Sequence, residues 1–254
     1  KGKISKITNQ LGNIVTHLID SNDEISCLWL VTATPFRGDS ACIIPKSILD
    51  RFTEHYLPFD EHWKINIKYI KNFNFNFVIY KENEILNEVT NVLKLGKKKT
   101  IIFCPYKGHI IGSTNKKKFR DNLIKTIRKI WPDCKILDLI DLFGRDKRKE
   151  ILYDNDDAKH VDIILTCKIF DEGSDWIHAE QCIDLYPSNS LRVVYQRFGR
   201  LWRDIPGKET INYYCFIPYE MKFADEETRR IHLSKSFNIL AASMILNEVI
   251  QPIH

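Results

Sequence analysis

The sequence predicts an α/β protein built on a parallel sheet with helices on both faces. Three observations predict it. Short apolar runs recur at residues 28–31, 100–104, 134–140, 161–165, 181–186 and 211–217; each has strand length and no polar face, as a sheet covered on both sides requires. Amphipathic stretches separate them, the clearest carrying Phe119, Leu123, Ile127 and Ile130 along one helical face before Pro132 closes the segment. Strand and helix patterns alternate, and that alternation folds with right-handed crossovers, so ligand chemistry is expected at the carboxyl ends of the strands.

A chain of 254 residues that is 44% hydrophobic can bury the core of one large domain, or of one domain with fragments. No run of 18 apolar residues offers a membrane span, and the polar start KGKISKITNQ does not resemble a signal peptide. We expect an intracellular protein, cytoplasmic, or nuclear or in a viral factory, and no membrane partner. The opening at Lys1, inside an element already under way, reads as an excerpt. The seven cysteines, Cys27, Cys42, Cys104, Cys134, Cys167, Cys182 and Cys215, are odd in number and never spaced C-x-x-C, which reads as reduced thiols buried in strands. The net charge of +5 is compatible with a polyanionic partner without demanding one.

Two regions break the rhythm. Residues 41–80 hold two prolines and the alternation NFNFNFVIY, which suits an extended connector or an edge hairpin, and we read them as a linker. The tail, residues 219–254, carries Leu233, Phe237, Leu240 and Met244 at helical spacing until Pro252, which predicts a C-terminal helical extension. GKKK at 96–99 and NKKK at 115–118 read as solvated loop ends rather than phosphate contacts.

The strongest chemical signal is QRFGRLWR at 196–203. On a helix Gln196, Arg200 and Arg203 stand at i, i+4 and i+7, so a glutamine and two guanidiniums share a stripe able to hold a triphosphate. Arginine suits phosphoryl transfer because its planar fork stays charged as negative charge builds up. Gly199 allows a close approach to the helix. The alternative is a solvated basic face with Phe198, Leu201 and Trp202 packed inward. QRFGRLWR resembles motif VI, Q-x-x-G-R-x-x-R, of the superfamily 2 helicases. The resemblance implies that Arg200 and Arg203 act as fingers on the γ-phosphate of ATP and that Gln196 contacts the phosphate or the attacking water.

Upstream, DEGSDW at 171–176 follows the apolar run 161–165. It resembles motif V in the glutamate-glycine-x-aspartate form of restriction-type and DNA-repair relatives. This implies that Gly173 and Asp175 lie at the nucleotide cleft and that Glu172 helps to hold it. Many relatives place a phosphate-contacting threonine six residues before the glycine. Here that position is Cys167, and Thr166 either substitutes for it or points into the core.

LVTATPFR at 30–37 resembles motif III. Thr32 and Thr34 are expected to relay hydrogen bonds that couple ATP state to strand movement. IIFC at 101–104 matches the strand of motif IV, and in GRDKRKEIL at 144–152 Arg148 matches the arginine near a helix start in relatives. Arg148 equally reads as a surface ion-pair partner of Asp146 or Glu150.

Five segments thus occur in the family's order. They imply the end of a first RecA-like domain at 1–40, a linker at 41–80, a second RecA-like domain at 81–218 and the helical extension at 219–254. Neither the G-x-G-K-T loop nor the D-E-x-H strand of such enzymes occurs in these residues. ATP and Mg2+ are the implied cofactors, with the magnesium ligands expected upstream, and this chain alone is expected not to hydrolyse ATP. The implied partners are nucleic acid, DNA over RNA, and the rest of the first domain or another chain. The alternative is a non-catalytic helicase-like subunit that binds nucleic acid or a protein.

Overall fold

The computed structural model describes residues 61, 65–81, 83–105, 116–167, 175–185 and 191–220, together with Thr53. By contacts the chain divides into two compact units, Lys1–Leu57 and Pro58–His254, and the sheet and its helices belong to the second. The strand expected at 28–31, Thr32 and Thr34, and the helical extension after residue 220 lie outside the described residues.

Among the described residues, six parallel strands form one sheet in the order β1-β6-β5-β2-β4-β3. They are β1 (Asn72–Lys81), β2 (Thr100–Phe103), β3 (Ile136–Asp138), β4 (Ile163–Thr166), β5 (Gln181–Asp184) and β6 (Thr210–Glu220). Five of the six apolar runs read from the sequence are therefore strands. β2, β4 and β5 are buried along their whole length, because side chains leaving both faces meet helices. The helices are α1 (Ile85–Lys94), α2 (Lys116–Ile130), α3 (Arg145–Glu150), α4 (Asn155–Ala158) and α5 (Leu191–Gly199).

Alternate residues of one strand feed two cores. Ile101 and Phe103 pack with Val194, Phe198, Leu201, Trp176 and Tyr213 on the face that α5 covers. Ile102 and Cys104 pack with Val89, Leu93, Leu123 and Ile127 on the face of α1 and α2. This is a doubly wound α/β layer arrangement. The five described cysteines, Cys104, Cys134, Cys167, Cys182 and Cys215, are free and buried, and no helix among the described residues is long and apolar enough to cross a membrane.

The linker reading of 41–80 needs correction at its end, because Asn72–Lys81 is an edge strand of the sheet, paired in parallel with β6 rather than folded as a hairpin. Its phenylalanines explain why. Phe73 lies 4.1 Å from Phe198 and Phe75 stacks on Tyr213 at 4.8 Å, ring centre to ring centre. The asparagines are tolerated because the strand is at an edge, and Asn74 donates to Asn212 across the pair at 3.0 Å.

Candidate nucleotide-binding site

Asp175 and Arg203, expected at the cleft from two separate motifs, meet in the structure. Arg203 Nε donates to Asp175 Oδ2 at 2.7 Å, and both side chains are close to half exposed. Asp175 is held in place by its neighbour: Trp176 is buried and its Nε1–H donates to the carbonyl of Ala158 at 3.0 Å. An exposed pair of this kind contributes at most about 1 kcal/mol, so another anion can take Asp175's place on the guanidinium at small cost.

The expected helical stripe does not run to Arg203. Helix α5 ends at Gly199, and the amides of Arg200, Leu201 and Trp202 bond the carbonyls three residues back, a tightened last turn. Gln196 is on the helix, Arg200 opens the turn, and Arg203 lies beyond it. Among the described residues a Cβ added at Gly199 meets only Trp202 Cε3, at 4.0 Å, so none of them makes the close approach expected there. The pair also stands away from the carboxyl ends of the strands. Asp175 leads into the start of β5 and Arg203 into the start of β6, since a crossover helix must return the chain to where the next parallel strand begins.

At the carboxyl ends lies a cluster that the motifs did not announce. Strands β2 and β5 are neighbours whose following helices cover opposite faces, which makes their ends the switch point of the sheet. There Arg197 Nη1 bonds both oxygens of Asp184, at 2.9 and 3.0 Å, and the Tyr213 hydroxyl donates to the same carboxylate at 2.7 Å. Asp184 is fully buried, Arg197 nearly so, and the guanidinium lies 4.5 Å from the centre of the Phe103 ring. Burial first, then the Asp184 charge, pushes the Tyr213 hydroxyl and the Cys215 thiol well above their ordinary pKa values, so both stay protonated. A signal was present in the sequence: Arg197 is three residues from Val194 and four from Leu201, on the inward face, and Asp184 is a carboxylate at the end of a strand buried along its whole length.

After Arg203 the chain makes a stitched loop. Pro206 and Gly207, the latter at φ +87°, suit the central positions of a type II turn closed by the Lys208 amide on the Ile205 carbonyl at 3.2 Å. The Lys208 side chain turns inward, 2% exposed, and its Nζ donates to the carbonyls of Arg203 at 2.9 Å and Ile177 at 3.3 Å. Burial pushes its pKa down to about 8, against the opposing pull of Glu180 and Asp204. Asp204 accepts the amides of Lys68, Tyr69 and Ile70 at 2.7 to 3.2 Å. Burial raises the Asp204 carboxyl, but those amides and the Lys208 charge outweigh it and hold the pKa below the usual carboxylate value.

Three other expectations resolve differently. Thr166 is fully buried and its Oγ1 has no hydrogen-bond partner among the described residues, while Cys167 is buried with Sγ 3.8 Å from the Pro105 carbonyl. Both side chains are thus buried at the end of β4, a strand buried along its whole length. Arg148 pairs with neither Asp146 nor Glu150; its three nitrogens donate to the carbonyls of Asp138, Asp141 and Phe143 at 2.6 to 2.7 Å and brace the loop before α3. Lys99 of the GKKK run turns inward and bonds the carbonyls of Lys159 and Val161 at 2.7 and 2.6 Å. Gly173 and Glu172 lie outside the described residues.

Residues 81–204 match the family model described as the helicase conserved C-terminal domain. Among curated proteins the chain is similar to YeeB of Bacillus subtilis (strain 168), whose name proposes an ATP-dependent helicase. Identity is 23%, over 97% of this chain and 43% of that protein, so the chain spans less than half the length of the curated relative it matches. Solved structures similar to it include S. cerevisiae Dbp5 bound to RNA and ADP BeF3, at 14% identity over 81% of this chain and 51% of that one, TM-score 0.42. Mycobacterium smegmatis helicase Lhr bound to ssDNA and AMP-PNP is similar at 12% identity over 68% and 22%, TM-score 0.44.

Proposed function

We propose that this chain supplies the second motor domain of an ATP-dependent nucleic-acid helicase or translocase, acting on DNA in preference to RNA. The observation that carries the reading is the half-exposed Arg203 guanidinium already holding an anionic oxygen, that of Asp175. In this reading the γ-phosphate exchanges with Asp175 on Arg203, Arg200 adds a second guanidinium, and Gln196 positions the phosphate or the attacking water. Asp175, freed, turns to the nucleotide beside Gly173 and Glu172, and Thr32 and Thr34 relay the change to the neighbouring motor domain. ATP supplies the phosphoryl bond whose cleavage lets the two motor domains reopen. This reading assigns the Mg2+ ligands and the phosphate-gripping loop to the rest of the motor, because neither the G-x-G-K-T nor the D-E-x-H pattern occurs in these residues. The preference for DNA rests on the glutamate-glycine-x-aspartate form at 172–175.

The test is the ATPase rate of the complete polypeptide with duplex DNA, single-stranded DNA or RNA added in turn. The reading expects the largest stimulation from duplex DNA. Stimulation by RNA alone would overturn the DNA assignment, and ATPase absent with every nucleic acid would favour a non-catalytic subunit.

A further inference from the structure

Lys208 is the one buried lysine among the described residues, and its side chain reaches the backbone that carries the Asp175–Arg203 pair. One of its two acceptors is the carbonyl of Arg203 itself; the other is the carbonyl of Ile177, two residues past Asp175. Both members of the pair therefore hang from backbone that the same ammonium holds. An apolar side chain would fill this space without the cost of desolvating a charge, so burial alone does not explain a lysine here. The surroundings fit a register pin as well. The Ile205–Lys208 turn fixes the lysine's own backbone, Trp176 fixes the far side, and Asp204 ties the same loop to residues 68–70, which lead into β1.

We propose that Lys208 is a positioning residue for the nucleotide-facing arginine: by holding the carbonyls of Ile177 and Arg203 it fixes the Asp175 segment against the Arg203 segment. The proposal rests on the reading of Arg203 as a phosphate-contacting residue. Without the pin, Arg203 still reaches an anion but no longer from a fixed backbone, and catalysis depends on that geometry far more than binding does.

The test is a cycle of Lys208→Met, Arg203→Ala and the double variant in the complete polypeptide, with nucleic-acid-stimulated ATP hydrolysis measured in single turnover and ATP binding measured separately. Lys208→Met is expected to slow hydrolysis by about tenfold to a hundredfold while changing ATP affinity by no more than about twofold. In the Arg203→Ala background the same substitution is expected to have no further effect, since a residue acting through Arg203 has nothing left to position. Normal hydrolysis by Lys208→Met, or a loss that multiplies with that of Arg203→Ala, overturns the proposal; the multiplied loss would mark a general structural role. An Arg203→Ala variant with normal hydrolysis instead refutes the underlying reading, and the proposal falls with it. If Lys208→Met does not fold, Lys208→Gln, which keeps an N–H donor of shorter reach, goes through the same cycle with the same criteria.

Discussion

Replacing Arg197 by methionine strips the guanidinium from a carboxylate that has no access to water. Asp184 is fully buried, its Arg197 partner is 9% exposed, and two bonds of 2.9 and 3.0 Å join them. Removing one member of such a pair costs about 3–5 kcal/mol, because the other charge stays buried. The lost stacking on Phe103 adds roughly 0.5–2 kcal/mol, and a methionine sulfur on the same ring returns a similar amount. The net loss of about 3–5 kcal/mol is a large share of the ~5–15 kcal/mol that holds a typical domain together. In urea unfolding with a slope of about 2–3 kcal/mol/M it moves the midpoint down by roughly 1–2 M. Asp184→Leu combined with Arg197→Met removes the stranded charge and leaves the Tyr213 hydroxyl short of its partner, a cost of about 1–3 kcal/mol. The double variant is therefore expected to be more stable than the Arg197 single variant. A single-variant loss under about 1 kcal/mol, or a double variant no better than the single, refutes the view that this ion pair locks α5 to the switch point.

Asp204→Asn weakens the hold on the amides of Lys68, Tyr69 and Ile70, and at this partly exposed position it is expected to cost about 1 kcal/mol at neutral pH. Because the folded carboxyl titrates below its unfolded value of 3.8, that stabilisation is complete above about pH 5 and vanishes as pH falls through the folded pKa. Wild-type and variant unfolding curves should thus converge in acid, and a constant gap from pH 7 to pH 2 would contradict the assignment. Gly199→Ala meets no clash among the described residues and is expected to leave the melting temperature unchanged or slightly higher. If its ATPase also stays normal, the close approach expected at Gly199 does not occur.

The parallel layers were legible because strands buried on both faces write themselves as short apolar runs, and α2 because Phe119, Leu123 and Ile127 keep one face. β1 was misread because an edge strand needs only one apolar row, and the asparagines between Phe73 and Phe77 resemble a connector. The arginine stripe was overextended, since spacing of i, i+4 and i+7 presumes a helix that in fact tightens at Gly199. Arg148 and Lys99 were opaque for a common reason: their acceptors are backbone carbonyls, which carry no residue identity. Lys208 was hidden likewise, in a turn whose Pro206-Gly207 pair announces shape but not what the next side chain holds.

Whether the chain bears the arginines of an ATP motor is tested most directly by Arg200→Ala in the complete polypeptide. The measurement is nucleic-acid-stimulated ATP hydrolysis, with nucleotide binding followed in parallel. A finger role for Arg200 predicts a loss in kcat of about a hundredfold or more, the scale of removing an arginine from a phosphoryl-transfer site, with nucleotide still bound. Hydrolysis at the wild-type rate would contradict it.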